Sequence, residues 1–342
     1  MDIYPTQIAN FAVTYRCNSR CSYCYIWKKN DHESELSLHE IESLFRNNYD
    51  ILKKVSSIQL TGGEPFLRPD LPDITKVIHD ILPKCFIWIP TNGLIPEKIH
   101  SMVGGILQDV KSLGISISID GIDAEHDKQR GLQGSYQKSL ETLKILSNYR
   151  REYSNLSLSV GFTLSPYNID EALKVHQLAI DYDADFSLRP VNISEIYYGI
   201  TEKPLYNQEL LDVLHALSKS SIKRKGWQKS ITFLSFLRGI PQFLRDPKRR
   251  PVKCSAGSKS FFLDPYGNLY PCIALNYRIG NIRDTSFQDL WFSKRADKVR
   301  ENISKMGCPG CWVECETFRE IKNNKMFLIE TLLSAFLKRD FF

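Results

Sequence analysis

No stretch of this 342-residue chain holds the roughly 18 consecutive apolar residues that cross a bilayer. The best candidate, residues 326–337, is interrupted by Glu330. Residues 1–11 lack a basic segment followed by a long apolar one, so no export signal is read and a cytoplasmic protein is expected, with peripheral membrane contact left open. Strong polarity is absent too. At 42% hydrophobic residues the chain can bury a full core, which excludes a disordered protein. Its length suits one large α/β domain with an appendage, or two ordinary domains.

Without an export signal, nine cysteines argue against a disulfide framework and for metal or redox chemistry. Three of them, Cys17, Cys21 and Cys24, fall within the ten residues RCNSRCSYCY. Five more stand at Cys254, Cys272, Cys308, Cys311 and Cys315. Cys85 is alone in the strand-like run CFIWI and reads as a buried core thiol.

From residue 8 to about 190, short apolar runs alternate with amphipathic stretches. The expected strands are 8–14, 57–61, 86–91, 115–120, 156–163 and 186–190, and the expected helices include 38–52, 70–82, 135–149 and 168–182. Six β-then-α units read as an α/β fold with a parallel sheet, open or curled into a partial barrel, whose ligand site lies at the carboxyl ends of the strands. Residues 219–253 then carry eleven Lys/Arg against one acid, a local balance of +10 in a chain of +6. Phe233, Phe236, Leu237, Ile240, Phe243 and Leu244 fall there at helical spacing. This is a solvated linker helix with one apolar side, or a lid attracting an anionic substrate, nucleic acid or membrane surface. Residues 261–270 read as a β-hairpin turning on DPYGN, and 317–342 as a charged helix ending in an apolar face.

A closed zinc site needs four ligands, and the first cysteine group supplies three. Iron–sulfur clusters are also held by closely spaced thiolates, and three of them leave one iron of a four-iron cluster free. CNSRCSYC fits C-x3-C-x-aromatic-C with Tyr23 at the aromatic position, and here the chain resembles the radical S-adenosylmethionine (radical SAM) enzymes. Gly62-Gly63-Glu64-Pro65 is similar to the family's GGEP motif, whose backbone and acid take the cofactor's amino group. Thr91 and Asn92 end the third strand as in the family, Ser118 and Asp120 resemble the ribose-binding positions, and Arg130 the partner of the methionine carboxylate. The resemblance implies a partial (β/α)6 TIM-like barrel, a [4Fe–4S] cluster on Cys17, Cys21 and Cys24, and reductive cleavage of S-adenosylmethionine to a radical that removes a substrate hydrogen atom. It also implies an electron donor such as flavodoxin or ferredoxin.

The second cysteine group, C-x12-G-x4-C followed by CPGCWVEC, resembles the SPASM/twitch extension of these enzymes, a small α+β unit carrying auxiliary clusters. A zinc ribbon is the plain alternative. Five thiols suit one auxiliary [4Fe–4S] cluster with one thiol left over. Cys254, Cys272 and Cys315 are expected as ligands, with Cys308 or Cys311 completing the set. The implied division is a barrel at 1–192, a basic helical connector or lid at 193–252, the cluster-binding extension at 253–320 and a C-terminal helix at 321–342.

The first strand begins by residue 8, leaving no room for the peptide-recognition domain that often precedes such barrels. A small or carrier-linked molecule, possibly anionic, is therefore the leading substrate, oxidised with the auxiliary cluster taking the electron. A maturase of a ribosomal peptide working with a separate recognition protein stands second. A non-catalytic iron–sulfur or zinc protein binding nucleic acid stands third. Arg189, at the end of the sixth strand, is expected to meet substrate or cofactor, or to pair with an acid such as Asp185.

Overall fold

The computed structural model describes residues 7–29, 34–192, 207–305, 308 and 310–336. Six parallel strands, β1 (Ile8–Thr14), β2 (Ser57–Gly62), β3 (Phe86–Thr91), β4 (Leu113–Ser118), β5 (Leu156–Leu164) and β6 (Asp185–Pro190), lie side by side in chain order. Between them run α1 (Leu38–Asn47), α2 (Tyr49–Leu52), α3 (Leu71–Ile81), α4 (Pro96–Asp109), α5 (Ala124–Arg130), α6 (Ser135–Glu152) and α7 (Glu171–Asp181). The expected segment 38–52 divides at Asn48, and α1 starts on a capping box in which Ser37 and Glu40 satisfy each other's backbone N–H groups. β4 starts two residues earlier than expected, so Asp120 lies beyond its end. The helix at Pro96–Asp109 has no counterpart in the periodicity reading, since Gly104-Gly105 weakens its helical signal.

Strand alternation sorts the residues into two faces. Ile58 and Leu60, Ile87 and Ile89, Ile115 and Ile117, and Leu158 and Val160 are buried in the main apolar core. The alternate positions Asn10, Gln59, Trp88, Ser118, Ser159, Thr163 and Ser187 line a cavity on the concave side. The sheet is therefore an open partial barrel with an apolar exterior under its helices and a polar interior.

The second region extends the same sheet. β7 (Ser260–Leu263) pairs in parallel with β1, and β8 (Asn268–Tyr270) and β9 (Gly280–Asn281) follow antiparallel, giving the order β6-β5-β4-β3-β2-β1-β7-β8-β9. The hairpin expected at 261–270 is present, but its attachment to β1 depends on backbone pairing at long sequence separation. The basic stretch 219–253 runs through α8 (Gln208–Arg245), kinked where Gly226 takes φ 73°, and past its end. The start of the expected connector, 193–206, lies outside the described residues. Arg224 and Lys225 tie α8 to the barrel by pairing with Asp183 and Asp185. After α9 (Phe287–Trp291) and α10 (Lys294–Ser304) the chain passes to α11 (Glu314–Asn323) and α12 (Lys325–Phe336), two helices where one was expected.

Trp312 fastens the last cysteines to the barrel. Its backbone N–H donates to Asn192 Oδ1 at 2.9 Å, and its indole N–H donates to the Phe236 carbonyl at 2.9 Å. Gly239 is needed beneath it, because a Cβ there would stand 2.0 Å from the ring.

Candidate active site

The loop after β1 owes its shape to backbone bonds that are independent of its thiols. Arg20 N–H donates to the Arg130 carbonyl and Ser22 N–H to the Gln129 carbonyl, both at 3.0 Å. Gly63 and Glu64 N–H groups donate to the carbonyls of Thr14 and Arg16, both at 2.8 Å. A Cβ on Gly62 would lie 2.0 Å from the Thr14 carbonyl oxygen, and one on Gly63 2.2 Å from that of Arg16. The two glycines thus permit the close approach of one loop to another, which seats the cysteines against the end of β2.

Cys17, Cys21 and Cys24 line one cavity of about 640 Å³. Tyr23, Gly62, Gly63, Thr91, Asn92, Ser118 and Arg130 line it as well. Burial pushes the Cys17 and Cys24 thiols up to about 12, with the charges of Glu64 and Cys21 adding to the effect at Cys17 and those of Cys21 and Cys17 at Cys24. A bound metal reverses this, since its positive charge stabilises the thiolate. Among the described residues no three His, Cys, Asp or Glu side chains are grouped to hold a single metal ion. A four-iron cluster asks for a wider arrangement, because each thiolate bonds its own iron. The three thiols around an open cavity fit that group.

The two motif carboxylates do not line the cavity but bond to residues that do. Glu64 is 1% exposed, and its carboxylate accepts from Phe66 N–H (3.1 Å), Thr91 Oγ1 (2.9 Å) and Asn92 N–H (2.7 Å). Burial raises its pKa from 4.5 to about 7 against the pull of those donors. Pro65 starts the short turn behind it. Asp120 is fully buried and pairs with Arg130 at 2.8 Å, accepts from Thr163 N–H at 2.7 Å, and is bonded by the Tyr23 hydroxyl. Glu64, Pro65 and Asp120 are therefore placed behind the residues that line the cavity. His126, which the motif reading missed, accepts from Asp120 N–H, and burial lowers its pKa to about 4 so that it stays neutral. Asn18 was missed as well; its side-chain oxygen accepts from Asn92 Nδ2 at 2.7 Å.

Replacing Arg130 by Ala strands the Asp120 carboxylate in a dry site, with an expected loss of about 3–5 kcal/mol. Urea unfolding of the two proteins measures it, and a difference under about 1 kcal/mol contradicts the pairing.

The far wall of the cavity is built by Arg189 of β6 and by Glu314, Cys315, Phe318 and Lys322 of α11, with Lys229 of α8 at its edge. Arg189 lies near Glu314, while Asp185 is taken by Lys225. Four other thiols surround a small second cavity. Cys254, Cys272, Cys308 and Cys311 line it together with Arg250 and Glu316. The buried Arg250 guanidinium has no hydrogen-bond partner of good geometry among the described residues, and it lies beside Cys254 and Cys311. A buried cation facing several thiols suits an anionic thiolate-bound cluster.

Residues 11–179 match the radical SAM superfamily, and residues 254–316 match the SPASM iron–sulfur cluster-binding domain. The chain is a radical SAM enzyme with a SPASM domain. Its cofactors are [4Fe–4S] clusters and S-adenosylmethionine. This radical SAM enzyme is 23% identical over 326 residues to the antilisterial bacteriocin subtilosin biosynthesis protein AlbA of Bacillus subtilis, covering 90% of this chain and 67% of the relative. It is 23% identical over 312 residues to the AdoMet-dependent heme synthase of Methanosarcina barkeri, covering 84% of this chain and 82% of that one. Its fold matches anSMEcpe with bound AdoMet and the Cp18Cys peptide at a TM-score of 0.65 and 16% identity, over 98% of both chains. Among the described residues no helix is long and apolar enough to cross a membrane.

Proposed function

We propose that this enzyme removes a hydrogen atom from one residue of a peptide or protein, held in the cavity between the cysteine loop and α11. The observation that carries the reading is the size and layout of that cavity. About 640 Å³ lies within the range of small-molecule sites. S-adenosylmethionine would take the part beside the three thiols, and the part lined by Arg189, Glu314 and Phe318 would take the substrate residue. AlbA, named for bacteriocin biosynthesis, and the peptide-bound anSMEcpe support the same reading. Lys229 and Lys322 on the cavity edge favour a second reading, a small or carrier-linked anionic molecule.

In either case Cys17, Cys21 and Cys24 would hold the radical-generating cluster, and Cys254, Cys272, Cys308 and Cys311 the auxiliary one. When bound, the first cluster and S-adenosylmethionine supply a carbon-centred radical able to take hydrogen from an unactivated C–H bond. The chain's own contribution is placement and exclusion of water. Asn92 lines the cavity and is held by Glu64 and Asn18; Arg130 is held by Asp120; Ser118 presents a hydroxyl at the end of β4. Delivery of electrons by a flavodoxin- or ferredoxin-type protein belongs to this reading.

The test uses the reconstituted enzyme, reductant, S-adenosylmethionine and an extract of host cells grown in deuterated medium, split into peptide and small-molecule fractions. Deuterium is expected in 5′-deoxyadenosine with the peptide fraction. Its appearance only with the small-molecule fraction sinks the peptide reading in favour of the second.

A further inference from the structure

The five cysteines of the SPASM region divide between two cavities. Four of them, Cys254, Cys272, Cys308 and Cys311, line the small cavity with Arg250. Cys315 lines the large cavity instead, in company with Glu314 and Phe318 from α11 and Arg189 from β6. The division falls on α11 itself, where Cys315 faces the large cavity and its neighbour Glu316 the small one, just after Trp312 is anchored to Asn192 and Phe236. A four-thiolate set is already complete without Cys315.

A second, independent feature marks the large cavity as a ligand site away from the cysteine loop. Asn10 of β1 is 1% exposed, lines this cavity, and its side-chain N–H2 has no hydrogen-bond partner among the described residues. A buried donor left unmatched is costly, so a ligand acceptor such as an amide carbonyl or carboxylate is its natural complement. Gln59, paired with Asn10 across β1 and β2, and Trp88, paired with Gln59, continue the same lining.

We propose that Cys315 is a free thiol on the substrate side of the radical cavity, outside the auxiliary cluster's ligand set, and that it touches the substrate. A hydrogen-bond acceptor on the same substrate would be the complement of Asn10, which lines the same cavity. This assignment holds whether the substrate is a peptide or a smaller molecule. A thiol that no iron holds reacts with a soft electrophile through its thiolate, and because burial raises the Cys315 pKa the labelling is run at alkaline pH. With iodoacetamide, sulfur bonds to the methylene carbon, the carbon–iodine bond breaks, iodide leaves and the thiol proton passes to buffer. Cluster-bound thiolates are protected from the same attack.

The test uses the anaerobically reconstituted enzyme and two readouts, iron per chain and the site of alkylation by mass spectrometry. Wild type is expected to hold about eight irons, Cys315→Ser about eight, and Cys272→Ser about four. Iodoacetamide on loaded wild type is expected to label Cys315 once without loss of iron. A fall to about four irons in Cys315→Ser overturns the proposal. So does protection of Cys315 in loaded wild type while Cys308 or Cys311 is labelled. Should Cys315→Ser fail to fold, the labelling of wild type decides alone.

Discussion

Cys24→Ala is expected to leave the protein folded and to abolish cleavage of S-adenosylmethionine. The loop that carries Cys24 is tied down by Arg20 and Ser22 on the carbonyls of Arg130 and Gln129, and by Gly63 and Glu64 on those of Thr14 and Arg16. None of these bonds passes through the Cys24 side chain, which packs at the border of a small apolar cluster with Ala12, Tyr15 and Ile26. A methyl group in place of the thiol keeps that contact and removes the thiolate that would bond the third iron, together with a backbone hydrogen bond from Ile26 to the sulfur. Iron content is expected to drop from about eight to about four per chain, with the auxiliary cluster retained. Formation of 5′-deoxyadenosine is expected to fall more than about 100-fold, beyond the effect of losing an outer-sphere partner of a metal site. Thermal unfolding of the apo protein is expected to move by only a few degrees, as for an ordinary substitution costing about 1 kcal/mol. Wild-type cleavage by the variant contradicts the assignment of the three thiols.

The residues that line the cavity beside the cysteine loop were legible because each sits where a strand ends. The apolar alternation of 57–61 and 86–91 and the run at 115–120 locate the strands to within two residues, and Cys17, Gly62, Thr91 and Ser118 follow from that. The polar interior was legible in principle by the same alternation, in Asn10, Gln59, Ser118 and Ser159. What spacing does not carry is the direction of a buried side chain once partners from distant segments compete for it. Glu64 and Asp120 look like ligands for an ammonium and a ribose on motif grounds. The fold turns them toward Thr91 and Asn92, and toward Arg130 and Tyr23, because burial demands donors and those are the donors at hand. The division of the SPASM thiols was likewise hidden. The resemblance implied Cys315 as a ligand, while on α11 it faces the large cavity and its neighbour Glu316 the small one, a division that the helix's packing sets and the spacing does not show.

Glu64 is buried behind the proposed cofactor site, and its replacement by Gln is expected to change the pH dependence of both stability and affinity. Its carboxyl titrates at about 7 in the fold against 4.5 in the open chain. The folded state therefore holds its proton more tightly, so the group's effect on stability is most favourable below pH 4.5. That effect is lost as pH rises, and the loss is complete above about 7. The difference corresponds to about 3 kcal/mol. Gln resembles the protonated form at every pH, so the stability of wild type relative to Glu64→Gln is expected to fall by that amount between pH 4.5 and 7 and to level off beyond. Urea unfolding of the two apo proteins at pH 5, 6, 7 and 8 measures it, and a constant difference refutes the shifted titration. S-adenosylmethionine brings positive charge to the cavity against which Thr91 and Asn92 are held. An ionised Glu64 behind them attracts that charge, and a protonated one does not. Wild-type affinity for S-adenosylmethionine is thus expected to rise from pH 6 to pH 8, whereas that of Glu64→Gln stays flat and weaker at pH 8. Equal affinities at pH 8 would show that the buried carboxylate only shapes the loop and does not hold the cofactor electrostatically.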